Sequence, residues 1–186
     1  MARYFIGFLL AVGLIVVVVI LIIKALTGTH KGPTPLDLPS YANSDVRVQL
    51  TIDGPVTAAD THNDIIMTVG SSQSSLMITK GYDSEVVSMK NYPMTTSAYA
   101  VFLKALAYNN FTKGTNDPAL ADERGHCAQG DRFIYEVIDG SGNDLQRYWY
   151  TTCNTGTFKG SVSAIRSLFT KQFPDYGTQT QNVNLM

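Results

Sequence analysis

The feature that most constrains this chain is an uninterrupted apolar segment close to its N-terminus. Residues Tyr4 to Ile23 read YFIGFLLAVGLIVVVVILII, twenty residues without a charge, and Arg3 and Lys24 flank them. A helix rises about 1.5 Å per residue, so the segment is long enough to cross a hydrocarbon core of roughly 30 Å. It therefore predicts a transmembrane helix that contacts the lipid bilayer through residues 4–23.

A buried core helix and a cleavable signal peptide are the two alternatives. A core helix normally keeps a polar face, and this segment has none. The apolar stretch of a signal peptide is about 7–15 residues long and ends at a small-x-small site, whereas Lys24-Ala25-Leu26-Thr27 follows a longer run here. No cysteine follows the run, which excludes a lipoprotein anchor. We interpret residues 1–26 as an uncleaved signal anchor.

The remainder of the chain divides by composition into three parts. Residues 27–44 hold three prolines and two glycines, which is typical of a semi-extended tether. Residues 45–176 have the mixed composition and the length of one domain with its own core. Residues 177–186 are polar and without periodicity, which predicts a frayed C-terminal tail.

The charge of the chain restricts its partners. It carries 14 lysines and arginines against 15 acidic residues, a formal net charge of −1, and the basic residues are not clustered. Binding to nucleic acid depends on a concentrated basic surface that neutralises phosphates. Nucleic acid is therefore not an expected partner.

Residue periodicity in the first half of the domain predicts four strands. In VRVQLTI, the side chains of Val46, Val48, Leu50 and Ile52 fall on one side with polar residues between them, the alternation of a half-buried strand. DIIMTVG, SLMITKGY and SEVVSMKNY are three further strands separated by polar turns. Together they predict an antiparallel meander.

The second half combines helical and strand periods. TTSAYAVFLKALAYNN predicts a helix with Thr96 or Ser97 as its N-cap. DRFIYEVIDGSGNDLQRYWYTTC predicts a hairpin with strong turn residues at its centre, and a last helix begins near Ser161 and ends before Pro174. The order ββββ-α-ββ-α predicts an α+β domain of two layers, with an antiparallel sheet of about six strands and two helices.

The two cysteines of the chain lie near the open end of this hairpin. Pairing the strands about their turn brings Cys127 close to Cys153, within the separation that a disulfide tolerates. A disulfide requires an oxidising compartment, so the domain is expected outside the cytoplasm and the short N-terminus inside. The positive charges flanking the anchor are too evenly balanced to decide the orientation by themselves.

An alternative assigns the cysteine a catalytic role. Gly125-His126, Thr151-Thr152-Cys153 and Arg166 resemble in order the motifs of sortases, which are membrane-anchored transpeptidases. The resemblance implies that His126 is the acid/base, Cys153 the nucleophile and Arg166 the electrostatic clamp. The chain departs from that family, because only one short hairpin separates His126 from Cys153 and because Arg166 lies within a predicted helix.

No metal or cofactor site is predicted. Zinc takes three or four ligands, and His126, Cys127 and Cys153 supply at most three, two of which are adjacent in the chain. His30 lies in the predicted tether and His62 in a predicted turn, so neither is an obvious fourth ligand.

A binding surface is a further candidate. The strand RYWYTT places Tyr148 and Tyr150 on one face of the sheet and Trp149 on the other. If one face lies in solvent, its aromatic side chains can stack on a glycan or contact an envelope protein. The alternative is that a third layer, a loop or the tether covers this face.

The pattern ERGHCAQGDRFIYEV, YWYTTC, GTFKG and IRSLFTKQFPDY resembles uncharacterised membrane-anchored envelope proteins of candidate-phyla-radiation bacteria, in particular Saccharibacteria. The resemblance implies a bacterial cell-envelope protein and supplies no catalytic residues. With the anchor and the paired cysteines, it predicts a single-pass membrane protein with an extracytoplasmic binding or structural module.

Overall fold

The computed structural model describes residues 36–183 and 185, together with Val17 and Val19. The chain divides into two compact units, Met1–Gly32 and Pro33–Met186. Apart from Val17 and Val19, the predicted anchor lies outside the described residues. Within the part that is described, no helix combines the length and the apolar character that a membrane span requires.

Six antiparallel strands form one sheet in the second unit, as the sequence predicts. The strands are β1 (Arg47–Asp53), β2 (Asn63–Val69), β3 (Gln73–Lys80), β4 (Glu85–Pro93), β5 (Arg132–Ile138) and β6 (Asp144–Thr151). Their order in the sheet is β4-β3-β2-β1-β5-β6. The first four strands are the predicted meander, and the hairpin β5-β6 adds to its free edge at β1.

Helices follow the predicted order ββββ-α-ββ-α, with one short helix added at the end: α1 (Thr96–Tyr108), α2 (Val162–Thr170) and α3 (Tyr176–Thr180). The N-cap of α1 is Thr95, one residue before the first predicted candidate, and its hydroxyl accepts a hydrogen bond from the Ala98 backbone N–H. This bond satisfies one of the free N–H groups of the first helical turn.

The core lies between the helices and one face of the sheet, here called the inner face. The alternate β1 residues Val48, Leu50 and Ile52 are fully buried there, as their period predicts. Aromatic rings join the layers, since Phe111 packs edge-on against Tyr135 of β5 and also contacts Phe169 of α2. The α+β architecture with a six-stranded antiparallel sheet is therefore confirmed.

Both ends of the domain extend further than the sequence predicts. Leu38, within the predicted tether 27–44, begins the 3₁₀ helix Leu38–Tyr41 and is completely buried in the core. At the C-terminus, α3 occupies part of the predicted tail, and Val183 and Leu185 pack against the core. In each case a few apolar side chains within a polar segment are stabilised by packing against the core.

The opposite, outer face of the sheet carries polar side chains in rows that cross the strands. One row consists of neighbours on four adjacent strands: Arg132 on β5, Asp53 on β1, Asp64 on β2 and Thr79 on β3. It lies at the end of the sheet where β1 stops and β2 begins.

Candidate functional site

The predicted disulfide is present. Cys127 and Cys153 are bonded, with their Cα atoms 5.7 Å apart and 26 residues between them in sequence. Arg132 pairs with Thr151 at the end of the β5-β6 hairpin, and Cys153 follows that end by two residues. Because both cysteines of the chain are in this bond, neither provides a thiolate.

The catalytic alternative loses its nucleophile for this reason. Its other two residues make contacts elsewhere: the His126 ring packs against Trp149 with centroids 5.1 Å apart, and the Arg166 guanidinium lies over the Phe133 ring. Cysteine catalysis requires a thiolate within reach of its base. A structural role for Cys127 and Cys153 is therefore the one that fits the geometry.

The predicted aromatic surface is also not available as proposed. Tyr148 is 3% exposed in the core and Trp149 is 2% exposed beneath the loop that precedes β5. The Trp149 indole N–H donates to the Leu120 carbonyl at 2.9 Å. Tyr150 is half-buried, and its hydroxyl donates to Asn154. Tyr148 and Trp149 therefore do not form an exposed surface, and the loop that contains Leu120 covers Trp149.

A different group of polar residues lies where β1 ends and β2 begins. Asp53 is the last residue of β1 and pairs directly with Asp64 of β2, while His62 comes just before β2. In extended chain, residues two apart point to the same face, so His62 and Asp64 share a side. The connection folds back on itself because the backbone N–H groups of Thr61 and His62 both donate to the Ala58 carbonyl.

The three side chains converge on the imidazole nitrogen Nε2. This atom lies 3.4 Å from Asp53 Oδ1 and 3.3 Å from Asp64 Oδ1. The side chain of His62 is only 3% exposed, and those of Asp53 and Asp64 are 19% and 15% exposed. Within the described residues, these three make the group of histidine and carboxylate ligands that is compact enough to hold a metal ion. We call it the His62 cluster.

Each member of the His62 cluster also contacts a residue outside the cluster. The second imidazole nitrogen, Nδ1, lies 3.0 Å from the Pro55 carbonyl oxygen. Arg132 donates two hydrogen bonds of 2.7 Å to the Asp53 carboxylate, and Thr79 donates one of 3.1 Å to Asp64 Oδ2. These contacts fix the orientation of all three side chains.

The ring of Tyr82 fixes the plane of the imidazole. It stacks on the His62 ring at a centroid distance of 4.4 Å and an interplanar angle of 18°. The Tyr82 hydroxyl donates to the Thr57 carbonyl at 2.8 Å, which ties the β3-β4 turn to the β1-β2 connection. The Tyr82 ring on one face and the hydrogen-bonding groups at the ring edge therefore position the His62 imidazole.

The negative charge of the Asp64 carboxylate is only partly compensated by its neighbours. Burial, and next the neighbouring Asp53 charge, raise the pKa of Asp64, while the Thr79 hydrogen bond opposes the shift. Arg132 is satisfied by Asp53, whose hydrogen bonds raise the pKa of the guanidinium further. Asp64 Oδ1 is buried and accepts no hydrogen bond from any described residue.

The His62 cluster lies at the wall of a cleft of about 360 Å³. The loop Glu123–Gly125 also lines this cleft, together with Val56, Gly81, Tyr82, Ser84 and Arg132. Glu123 is held by the guanidinium of Arg147, and this ion pair lowers the pKa of the Glu123 carboxyl against the opposing effect of its burial. The loop predicted around His126 and Cys127 thus contributes a wall of the cleft rather than a nucleophile.

Comparison of the chain with protein-family models, with curated proteins and with solved structures gives no match. The resemblance to envelope proteins of candidate-phyla-radiation bacteria therefore stays a prediction. What the His62 cleft binds has to be inferred from its own chemistry.

Proposed function

We propose that this protein is a single-pass membrane protein that presents its α+β domain outside the cytoplasm as a binding module of a bacterial cell envelope. The observation that carries the proposal is the Cys127–Cys153 disulfide. Such bonds persist in oxidising compartments and are rare in the cytoplasm. Together with the apolar segment Tyr4 to Ile23, the bond favours an N-terminus inside and a domain outside.

Binding is favoured over catalysis by what the described residues offer. The disulfide contains the cysteine that would be the nucleophile of the sortase-like alternative. Two of the three aromatic side chains that would stack on a glycan, Tyr148 and Trp149, are buried. The His62 cleft is open, polar and built from side chains with fixed orientations. We therefore place the ligand contact at this cleft. An envelope protein or a glycan would bind there through polar groups that enter the cleft.

The proposal is tested by measuring the oxidation state and the location of the full chain in bacterial cells. Intact mass of the non-reduced protein is expected to lie two hydrogens below that of the reduced protein. Protease added to intact spheroplasts is expected to remove the domain and to leave an N-terminal tag protected, with a cytoplasmic protein as the control. Two free thiols, or a domain that survives protease until the membrane is broken, would overturn the proposal.

A further inference from the structure

We propose that Asp53, His62 and Asp64 form a binding site for one divalent transition-metal ion, for which Zn²⁺ is the best-fitting probe. The inference deepens the proposed binding function, and it rests on that function only in taking the cleft as the ligand site. One imidazole and two carboxylates suit a borderline metal ion, whereas Ca²⁺ and Mg²⁺ prefer sets made of oxygen alone.

The separations between the donor atoms match this ion. Zinc binds imidazole nitrogen and carboxylate oxygen at about 2.0–2.1 Å, so two ligands of a tetrahedral ion lie roughly 3.3 Å apart. His62 Nε2 lies 3.4 Å from one carboxylate oxygen and 3.3 Å from the other. Both nitrogen–oxygen separations therefore match ligand spacing, and all three donor atoms lie within 4.8 Å of one another.

The tautomer of His62 is also set for ligation. A carbonyl oxygen only accepts hydrogen bonds, so Nδ1 has to carry a proton when it faces the Pro55 carbonyl at 3.0 Å. In the neutral imidazole, this leaves the lone pair on Nε2, the atom that faces both carboxylates. A histidine that donates its other N–H to a carbonyl is the usual arrangement of a metal ligand.

The two carboxylates have the corresponding outer contacts. Arg132 orients Asp53 through two hydrogen bonds, and Thr79 orients Asp64 through Oδ2. Outer partners of this kind hold the ligand atoms in place and are an expected part of a metal site. Here all three ligands have one.

The strongest indication is a buried Asp64 oxygen that has no hydrogen bond of good geometry within the described residues. Asp64 Oδ1 is buried, points to His62 Nε2 at 3.3 Å, and accepts no hydrogen bond from the described residues. Leaving a buried charged oxygen unpaired costs more than an ordinary lost hydrogen bond. A cation between Nε2 and the two carboxylates removes this cost. Arg132 does not remove it, because its hydrogen bonds go to the Asp53 carboxylate and the Gly54 carbonyl.

Protonated His62 bridging the two carboxylates is the rival explanation. It also balances charge, but the contact between Nε2 and Asp64 Oδ1, 3.3 Å apart, does not have the geometry of a hydrogen bond. A metal ion satisfies both oxygens and the nitrogen at once. Three protein ligands also leave a fourth tetrahedral position for water or for a ligand in the cleft.

The test is isothermal titration of Zn²⁺ into the full chain, purified in detergent without reductant and stripped with EDTA. We expect one ion per chain, with much weaker binding of Ca²⁺ and Mg²⁺. His62→Gln and Asp64→Asn should lose saturable binding, and Thr79→Val should weaken it by roughly 10-fold, with Thr79→Ser restoring it. His126→Gln and Asp60→Asn are the matched controls and should bind as the unaltered chain does, because neither residue belongs to the His62 cluster.

Two measurements separate a lost site from a lost fold. Asp64→Asn should melt at a higher temperature than the unaltered chain without metal and at a lower one with saturating Zn²⁺, because the amide removes the unpaired charge together with the ligand. Nitrogen NMR of His62 should show Nε2 shifting on addition of Zn²⁺ while Nδ1 keeps its proton.

Zn²⁺ binding that survives in His62→Gln, or a His62 ring that is doubly protonated at neutral pH and unaffected by Zn²⁺, would overturn the metal site. Neither result bears on where the domain lies in the cell. Conversely, free thiols or a cytoplasmic domain would overturn the proposed function and leave a measured Zn²⁺ site standing.

Discussion

Removing the Cys127–Cys153 bond gives the most direct test of how the domain is stabilised. Cross-linking two positions lowers the entropy of the unfolded chain by an amount that grows with the loop that the bond closes. For the separation of 26 residues, the chain-entropy model gives about 3.5 kcal/mol at 25 °C. That is a large share of the roughly 5–15 kcal/mol by which a folded domain is usually stable.

The corresponding change in melting temperature follows from the size of the domain. One kcal/mol shifts the midpoint of a domain of about 150 residues by roughly 2–4 °C, so Cys127→Ala/Cys153→Ala should melt roughly 7–14 °C below the unaltered chain. Circular dichroism of the full chain in detergent measures this. The unaltered chain in the presence of reductant is the control and should melt with the double variant, because both lack the cross-link.

The loss should also be local. Besides the disulfide, the loop before β5 is tied by the hydrogen bond from the Val56 N–H to the Ala128 carbonyl and by the ion pair of Glu123 with Arg147. Amide exchange in that loop should therefore accelerate in the variant more than exchange in β1 and β2. A midpoint within about 2 °C of the unaltered chain would refute the entropic reasoning, since at 2–4 °C per kcal/mol it corresponds to 1 kcal/mol or less.

Three further changes test other parts of the structure, each by denaturant or thermal unfolding. Leu38→Ala removes a fully buried side chain and should cost about 2–5 kcal/mol, whereas a free tether at that position predicts no change. Gly156→Ala places a Cβ 2.2 Å from a main-chain carbonyl oxygen of β6 and should cost about 1–3 kcal/mol, and Gly177→Ala, where a Cβ meets nothing within 4 Å, should be nearly neutral. A Lys90 hydrogen bond holds the pKa of Asp175 at about 2, below its usual 3.8. The stability contributed by this depressed carboxyl is present above pH 3.8 and lost as the pH falls towards 2, so the deficit of Asp175→Asn at neutral pH should vanish across that window. A deficit that is unchanged at pH 2 would contradict this assignment.

The periodic elements were predictable because each needs only local information. The helix α1 buries Tyr99, Phe102, Leu103 and Leu106, the residues that its 3.6 period places on one face. The alternation of Val48, Leu50 and Ile52 likewise predicts which side of β1 faces the core. A strong pattern in these segments agrees with the tertiary structure, so local preference and packing act in the same direction.

The covering of the outer face was not predictable from the β6 sequence. RYWYTT has aromatic side chains on both of its faces, which is compatible with a covered strand and with an exposed one. The outcome for Trp149 depends on a loop some thirty positions earlier, whose Leu120 carbonyl accepts the indole N–H. A contact over that sequence distance leaves no periodic signal.

The His62 cluster was missed for a related reason. The pattern His-x-Asp at His62 and Asp64 is visible in the sequence and would place both side chains on one face of a strand. Its third member depends on the register of the β1-β2 pair, in which Ile52 lies opposite Ile65 and Asp53 opposite Asp64. The intervening connection is long, and only the shortest hairpin loops fix a register by themselves.

The register of β1 and β2 places two like charges opposite each other, an arrangement that does not stabilise the sheet. Like charges directly opposite each other on paired strands are unfavourable, and Asp53 and Asp64 are such a pair on a largely buried part of the sheet. Arg132 compensates one carboxylate through two hydrogen bonds and leaves the other with an unsatisfied oxygen. Proteins depart from locally favourable choices mainly at functional sites, where the cost is recovered when a ligand binds. A cation at His62 Nε2 resolves this conflict in one step, because it supplies the positive charge that the sheet lacks at the point where both carboxylates and the imidazole already converge.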